Sequence, residues 1–328
     1  MTKTTFGKTG LSVAALGFGC APASYLKTER VAAAAMLNRM LDLGVNLIDT
    51  AASYPGSEEF LGEFFAHRRG QFTLVSKCGQ KEAGLPGEAW SAGLITAQVE
   101  RSLELLKTDA IDVMLLHSCS HEVLTKGEAL EALVAARDAG KIKFVGYSGD
   151  NETAAYAAGL EDVAVIETSV NIVDQRNIDI VLPVCVQNNV GVIAKRPVAN
   201  AAWKDLAQMQ GLYKSYAKVY TERFAKIGLK LEDFGFTGEP NAAWAEIALR
   251  FTLAQPGVHC AIVGTTNVKN FEANVAVERK GGLVPGAVRK LRQAFIKPTP
   301  KASGWDSRND GGMVSPWTPT PPRDPPPP

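Results

Sequence analysis

An eight-stranded α/β barrel is the fold class this sequence predicts, on three observations. Apolar runs of strand length recur eight times along the chain. A segment of helical character follows each run. The runs are continuous rather than alternating, which suits parallel strands covered on both faces. They fall at residues 14–19, 46–51, 72–78, 111–117, 144–148, 163–170, 191–197 and 260–265. Between them, Met36, Leu37, Met40 and Leu41 share one helical face, with Thr28 placed to cap the start and Gly44 to end it. Ile95, Val99, Leu103 and Leu106 form a second stripe. Leu130, Leu133 and Val134 form a third, closed by Gly140. Trp244, Ile247, Ala248 and Phe251 form a fourth, stopped by Gln-Pro-Gly. Strict alternation of this kind points to a (β/α)8 TIM barrel, with an open doubly wound sheet as its rival.

Three stretches stand outside the alternation. Residues 3–14 hold Gly-Lys-Thr-Gly between short polar-apolar runs and are expected to form an N-terminal hairpin across the barrel's bottom. Residues 198–240 make a long insertion after strand seven, with Tyr213, Tyr216 and Tyr220, expected either as a lid on the catalytic face or as a surface excursion. From residue 297 the chain ends in TPTPPRDPPPP, a Pro-rich tail expected to be extended or disordered. The expected organisation is thus a barrel over 1–296 and a tail over 297–328.

Bulk properties narrow the function. Of 328 residues 46% are hydrophobic, enough for a large core, and 35 basic residues face 34 acidic ones. That balance gives no electrostatic reason to expect nucleic acid or a membrane surface as partner. No apolar run reaches bilayer-spanning length, and MTKTTFGKTGLS has no signal-peptide core, so a cytoplasmic location is expected. The five cysteines have no CxxC spacing, which argues for buried thiols and against a disulfide framework or a metal site.

Chemistry concentrates where strands end. The second run holds Asp49, with Tyr54 in the loop beyond; the third holds Lys77; the fourth ends in His117. Polar groups at the C-terminal ends of barrel strands form the active face. These four types suit proton delivery to a developing alkoxide. A phenol is a poor acid at neutral pH, with an ordinary pKa of about 10, and a neighbouring cation eases its proton release. Lys77 supplies that cation, Asp49 pairs with Lys77, and His117 orients a substrate oxygen.

With those residues in place, the sequence resembles the aldo-keto reductases. The blocks FGKTGLSVAALGFG, LGVNLIDTAASYPGSEEFLG, LVSKC, IDVMLLH and KIKFVGYS carry the resemblance, which runs from about residue 5 to 275. It implies a (β/α)8 barrel and reduction of aldehydes, ketones or sugar carbonyls with NADPH, or less often NADH. Asp49, Tyr54, Lys77 and His117 match the family's four catalytic positions. The resemblance also implies cofactor contacts at Gly19 and Cys20. Ser148 would bond the nicotinamide carboxamide; Gly149 stands where the family often has Asn, and Glu167 where it often has Gln. Lys195, Arg196 and Pro197 replace the family's stacking Tyr, and Arg196 is expected to face the cofactor. The block AIVGTTNVKNFEANV is similar to the adenosine-binding loop, which implicates Gly264, Thr265, Thr266, Asn267, Asn270 and Asn274. Gly264 and Asn270 stand where the family usually places cations for the 2′-phosphate, with Lys269 one residue off. NADP(H) is therefore expected on family habit, with NAD(H) as the alternative. Tyr25 and Trp90, with the Tyr-rich insertion and Trp305, are candidate walls of the substrate pocket. LGFGCAP lacks the glycine fingerprint of an open dinucleotide-binding sheet, which weakens that rival.

Three rival functions fit parts of the pattern. Lys77 could form a Schiff base, but that leaves the spacing of Asp49 and Tyr54 unexplained. A cofactor-binding regulatory subunit without significant turnover is compatible with an intact tetrad and with the Pro-rich tail. A phosphate-binding barrel isomerase lacks its pair of Gly-rich loops after strands seven and eight.

Overall fold

The computed structural model describes residues 1–21, 29–208 and 212–296. Two short strands open the chain, β1 (Lys3–Thr5) and β2 (Ser12–Ala14), paired antiparallel. Eight parallel strands follow and close into a barrel: β3 (Leu16–Gly19), β4 (Leu47–Asp49), β5 (Thr73–Cys78), β6 (Ile111–His117), β7 (Ile142–Ser148), β8 (Val163–Ser169), β9 (Gly191–Lys195) and β10 (Cys260–Val263). Each lies beside its sequence neighbour, and β10 pairs with both β9 and β3 to complete the ring.

The strands match the sequence expectation in number and order, and differ at their ends. The first predicted run splits at Ala15: Ser12–Ala14 belongs to the hairpin and Leu16–Gly19 to the barrel. The seventh ends at Lys195 instead of running to Pro197. Arg196 adopts φ +56°, and proline after it lacks an amide to extend the ladder. The four predicted helical stripes lie on α1 (Arg30–Asp42), α3 (Ala92–Leu106), α5 (Glu128–Asp138) and α10 (Pro240–Leu253). The intervening helices are α2 (Ser57–Phe65), α4 (His121–Lys126), α6 (Asn151–Ala158), α7 (Arg176–Ile180), α8 (Leu182–Gln187) and α9 (Leu212–Ile227), with α11 (Val268–Glu278) and α12 (Pro285–Ile296) after β10. Thr28 lies outside the described residues; Glu29 occupies the cap of α1 and makes no side-chain capping bond. Gly44 follows that helix at φ +96°.

Side chains pointing into the barrel repeat every second residue along each strand. Leu47, Val75, Val113, Leu115, Val165, Ile193, Cys260 and Ile262 fill its interior as one apolar cluster. Phe6, from the hairpin turn, joins this cluster and plugs the bottom. Its ring lies against Gly191, where a Cβ would stand only 2.7 Å from it. The insertion after β9 packs elsewhere. Tyr220 and Phe224 of α9 join Trp244, Ile247 and Phe251 of α10 and Leu291 of α12 in a satellite cluster. The Phe224 and Trp244 rings meet edge-on, with centroids 4.8 Å apart. The insertion is therefore a buttress, and Tyr220 is buried within it. The side chains of Tyr213 and Tyr216 lie outside the described residues, as do Tyr25, Trp305 and the tail from residue 297.

One buried carboxyl links the helices to the sheet. Glu58, in the first turn of α2, accepts hydrogen bonds from Ser76 Oγ at 2.6 Å and Ser102 Oγ at 3.0 Å. Burial pushes its carboxyl up from 4.5 to about 7, against the pull of the two hydroxyls. The folded value lies above the ordinary one, so its contribution to stability is full below about pH 4.5 and is lost as pH rises through about 7. Glu58→Gln should therefore gain stability relative to the parent between acid and alkaline pH, by on the order of 3 kcal/mol. Thermal melts at both extremes check this; a constant difference in melting temperature would show that Glu58 does not titrate in that window.

Candidate active site

Above the apolar interior lies a ring of polar side chains, one from each of six successive strands. Asp49, Lys77, His117, Ser148, Glu167 and Lys195 each stand two residues beyond an inward-facing position, namely Leu47, Val75, Leu115, Gly146, Val165 and Ile193. Period-two geometry alone aims all six at the barrel axis. Sheet register agrees: His117 sits opposite Ser148, Ser148 opposite Glu167, and Lys77 opposite Leu115.

Lys77 is the hub. It is buried, and its Nζ donates to Asp49 Oδ1 and, at 2.9 Å, to the carbonyl of Thr50. Glu167 Oε2 lies 3.4 Å away. Burial would lower the Lys77 pKa, but Asp49, Glu167 and Tyr54 raise it above the ordinary lysine range, so it stays charged. Tyr54 is half-buried in the loop after β4, its ring centroid 5.2 Å from the ammonium. On its other side the His117 ring stands edge-on, with centroids 5.8 Å apart at 78°. His117 Nδ1 lies 3.3 Å from Ser53 Oγ. Burial, reinforced by Lys77, pushes the imidazole down to about 3, so it is neutral at physiological pH. The four residues singled out from the sequence thus converge around one point. Loop closure there is local: the Tyr54 amide bonds the Ala51 carbonyl at 3.0 Å and the Ala52 amide bonds the Lys77 carbonyl at 3.0 Å.

Glu167 completes the cluster. Its Oε1 accepts from Ser148 Oγ at 3.2 Å, while its buried Oε2 has no hydrogen-bond partner. Burial and the nearby Glu167 push Asp49 well above the usual carboxylate range. Glu167 itself would rise with burial, but Lys77 and Lys195 hold it below its usual value. At Gly149 a Cβ would lie 2.4 Å from the Tyr147 ring, whose hydroxyl donates to the Cys119 carbonyl at 2.9 Å. No Asn fits there while Tyr147 holds that place.

The residues beyond β9 are tied down by groups that sequence reasoning missed. Lys195 Nζ lies 3.3 Å from Asp150 Oδ2. Burial would raise Asp150, yet Lys195, the Ser169 amide and Arg196 hold it at about 2. Arg196 Nη1 donates to the Tyr220 hydroxyl at 3.4 Å, which in turn donates to Asp174 Oδ2 at 2.7 Å. The guanidinium stands 5.9 Å from the Tyr220 ring centroid. The position of Asp150, just past the end of β7, was the available signal for its role; nothing local marked Asp174.

Gly19 ends β3 opposite Asp49, and the Cys20 amide donates to the Asp49 carbonyl at 2.8 Å. The Cys20 thiol is buried and pushed up to about 12, first by burial and then by Asp49. Pro197 is buried beside Arg196. Trp90 takes φ +69°, and its amide bonds the Gly79 carbonyl at 2.8 Å, two residues past Lys77. Gly264, Thr266, Asn267 and Asn270 are exposed, and Thr265 and Asn274 half-buried, around the start of α11. Asn267 caps that helix through its side chain, which accepts from the Lys269 amide at 2.9 Å. The free amides of a helix start suit a phosphate. Together, the buried Oε2 of Glu167, which makes no hydrogen bond, Gly19 at the end of β3 and this helix start fit an extended nicotinamide nucleotide. Among the described residues, no group of three or more His, Cys, Asp or Glu could hold a metal ion, and no helix is long and apolar enough to cross a membrane.

Comparison with known proteins defines the class. The sequence profile of the Aldo/keto reductase family matches residues 15–294. The chain is 27% identical over 303 residues to the uncharacterized oxidoreductase YqkF of Bacillus subtilis, covering 89% of this chain and 96% of that protein. It is 26% identical over 290 residues to L-galactose dehydrogenase of Arabidopsis thaliana, covering 82% and 86%. An aldo-keto reductase of Bacillus halodurans, solved in its holo form, superposes with a TM-score of 0.73 at 25% identity, covering 94% of this chain and all of the other. This chain belongs to the aldo-keto reductase family, and it is an NAD(P)H-dependent oxidoreductase acting on carbonyls.

Proposed function

We propose that the protein interconverts an aldehyde, ketone or sugar carbonyl with its alcohol, using Tyr54 as general acid and base. The observation that carries this reading is the buried Lys77 ammonium, bound to Asp49 and set 5.2 Å from the Tyr54 ring, with neutral His117 on the far side. A bound nicotinamide nucleotide supplies or receives the hydride. Tyr54 gives its proton to the carbonyl oxygen as negative charge develops there. Lys77 stabilises the phenolate left behind, and Asp49 keeps Lys77 charged and aimed. His117 is uncharged and can donate only one hydrogen bond. With Ser53 donating to its Nδ1, the Nε2 proton points at the substrate oxygen.

Ser148 and Glu167 would hold the nicotinamide carboxamide, and Gly19, Cys20 and Gly149 would let it approach closely. Lys195, Arg196 and Pro197 would flank the pyrophosphate, with Arg196 steadied by Tyr220. Gly264, Thr265, Thr266, Asn267, Asn270 and Asn274 would take the adenosine end. Lys269, exposed beside that helix start, supports NADP(H) as the cofactor, with NAD(H) as the alternative. Tyr25 and Trp90 are the proposed substrate walls. Similarity to L-galactose dehydrogenase supports a sugar among the substrates. A cytoplasmic location completes the proposal.

The test is loss of cofactor absorbance when purified protein meets NADPH, then NADH, with 4-nitrobenzaldehyde and with an aldose. Turnover faster with NADPH is expected. A folded protein that binds cofactor but turns over none of a broad carbonyl panel would instead be a regulatory subunit.

A further inference from the structure

Glu167 gives the site an unusual charge balance. One buried ammonium, Lys77, faces two carboxyls, Asp49 and Glu167, each less than 5% exposed. Lys195 also acts on Glu167, but its charge is already matched by Asp150, so the two carboxylates around Lys77 leave one buried negative charge uncompensated. Sharing a proton between the carboxyls removes that cost. A positive charge brought into the cluster would remove it as well, and would expel the proton. The oxidised nicotinamide ring carries such a charge; the reduced ring does not.

We infer that the Asp49–Glu167 pair makes this site favour the oxidised nicotinamide nucleotide over the reduced one, by a margin that grows with pH as the shared proton is released. The inference rests on the proposed placement of the nicotinamide beside Ser148 and Glu167. Glu167 Oε2, which faces Lys77 Nζ at 3.4 Å but makes no hydrogen bond, is the atom that would sense the ring's charge. Burial and Glu167 raise Asp49 well above the ordinary carboxylate range, as two carboxyls held around one ammonium require. The other groups facing the pair have fixed charge there. His117 is held down at about 3 and Asp150, the partner of Lys195, at about 2, while Lys77 is raised above its usual range. Tyr54 is the remaining titratable group in the cluster. The consequence is a site that retains the cofactor form needed to oxidise an alcohol, and retains it better in mild alkali.

The experiment uses Tyr54→Phe protein, which lacks the phenol and is expected to turn over at least about a hundredfold more slowly. Oxidised and reduced cofactor are titrated by quenching of tryptophan fluorescence at pH 5.5 and pH 8.5. The ratio of the two dissociation constants cancels the cofactor's own phosphate titration. That ratio should shift at least about fivefold toward the oxidised form with rising pH, and by less than about twofold once Glu167→Gln is added. Calorimetry on the parent protein, in two buffers of different ionisation enthalpy, gives an independent reading. Proton release should accompany binding of the oxidised form only. A pH-independent ratio, an equal shift with Glu167→Gln, or equal proton release with both forms would overturn the inference while leaving the reductase reading intact. Failure of both cofactor forms to bind would overturn the reductase reading, and the inference with it.

Discussion

Tyr54→Phe is expected to lower carbonyl turnover by at least about a hundredfold, the range in which a positioned general acid acts, while cofactor affinity changes little. The substitution removes a single oxygen. The edge-on contact to His117 and the ammonium 5.2 Å from the ring centroid involve the aromatic carbons, which phenylalanine keeps. The turn that places residue 54 is held by its backbone amide on the Ala51 carbonyl, which is also kept. A loss of rate therefore reports the missing proton and not a displaced loop. Steady-state kcat and KM, with a fluorescence titration of the cofactor, separate the two. Retention of more than about a tenth of the parent rate would remove Tyr54 from the role.

Lys77→Met should abolish turnover as well, but with a second signature. The lysine is the cation between Asp49 and Glu167, and its ammonium also bonds the Thr50 carbonyl. Removing it leaves two buried carboxyls facing each other, a loss of the kind that costs about 3–5 kcal/mol when both remain charged. They escape by taking up protons: the folded-state pKa of Asp49, already raised, rises further, and Glu167 loses the cation that most holds it down. Stability gained from those protons is present at acid pH and lost as pH rises through the raised values. The variant should accordingly melt near the parent at pH 5 and well below it at pH 8. An inactive variant whose melting deficit is the same at both pH values would show that Asp49 and Glu167 do not depend on Lys77 for their charge. Activity near the parent's would end the catalytic reading of Lys77.

Much of this was legible in the sequence because the governing interactions are local or periodic. Eight apolar runs became eight strands. The inward-facing positions could be counted off in twos from Leu47 to Asp49, from Val75 to Lys77 and from Leu115 to His117. The polar ring is that count carried one step past the apolar layers. What escaped notice depended on partners distant in the chain. Arg196 looked free to face a ligand; its hydroxyl partner, Tyr220, comes from a helix packed by the satellite cluster, and no local pattern joins the two. Asp150 reads as a loop residue until Lys195 arrives beside it from β9. Glu58 looks like an ordinary acidic first turn, and only the meeting of α2 with β5 and α3 buries it between two serines. The early end of β9 was hidden for a related reason. A residue with φ +56° leaves no mark in composition when it is an arginine.

The hairpin at the barrel's base also bears on how the chain is made. Phe6 leaves the ribosome well ahead of two of the residues that receive it, Gly191 and His259, whose ring meets it edge-on at 5.7 Å. At translation speeds of about 5–20 residues per second, the strand bearing Gly191 follows on the order of ten seconds or more later. Until then the Phe6 side chain has no seat. A segment synthesised ahead of the barrel is among the last to be docked, and the nascent barrel must hold an apolar plug in waiting. That delay is long enough for a chaperone to bind the segment, and long enough for an unprotected one to pair with the wrong neighbour.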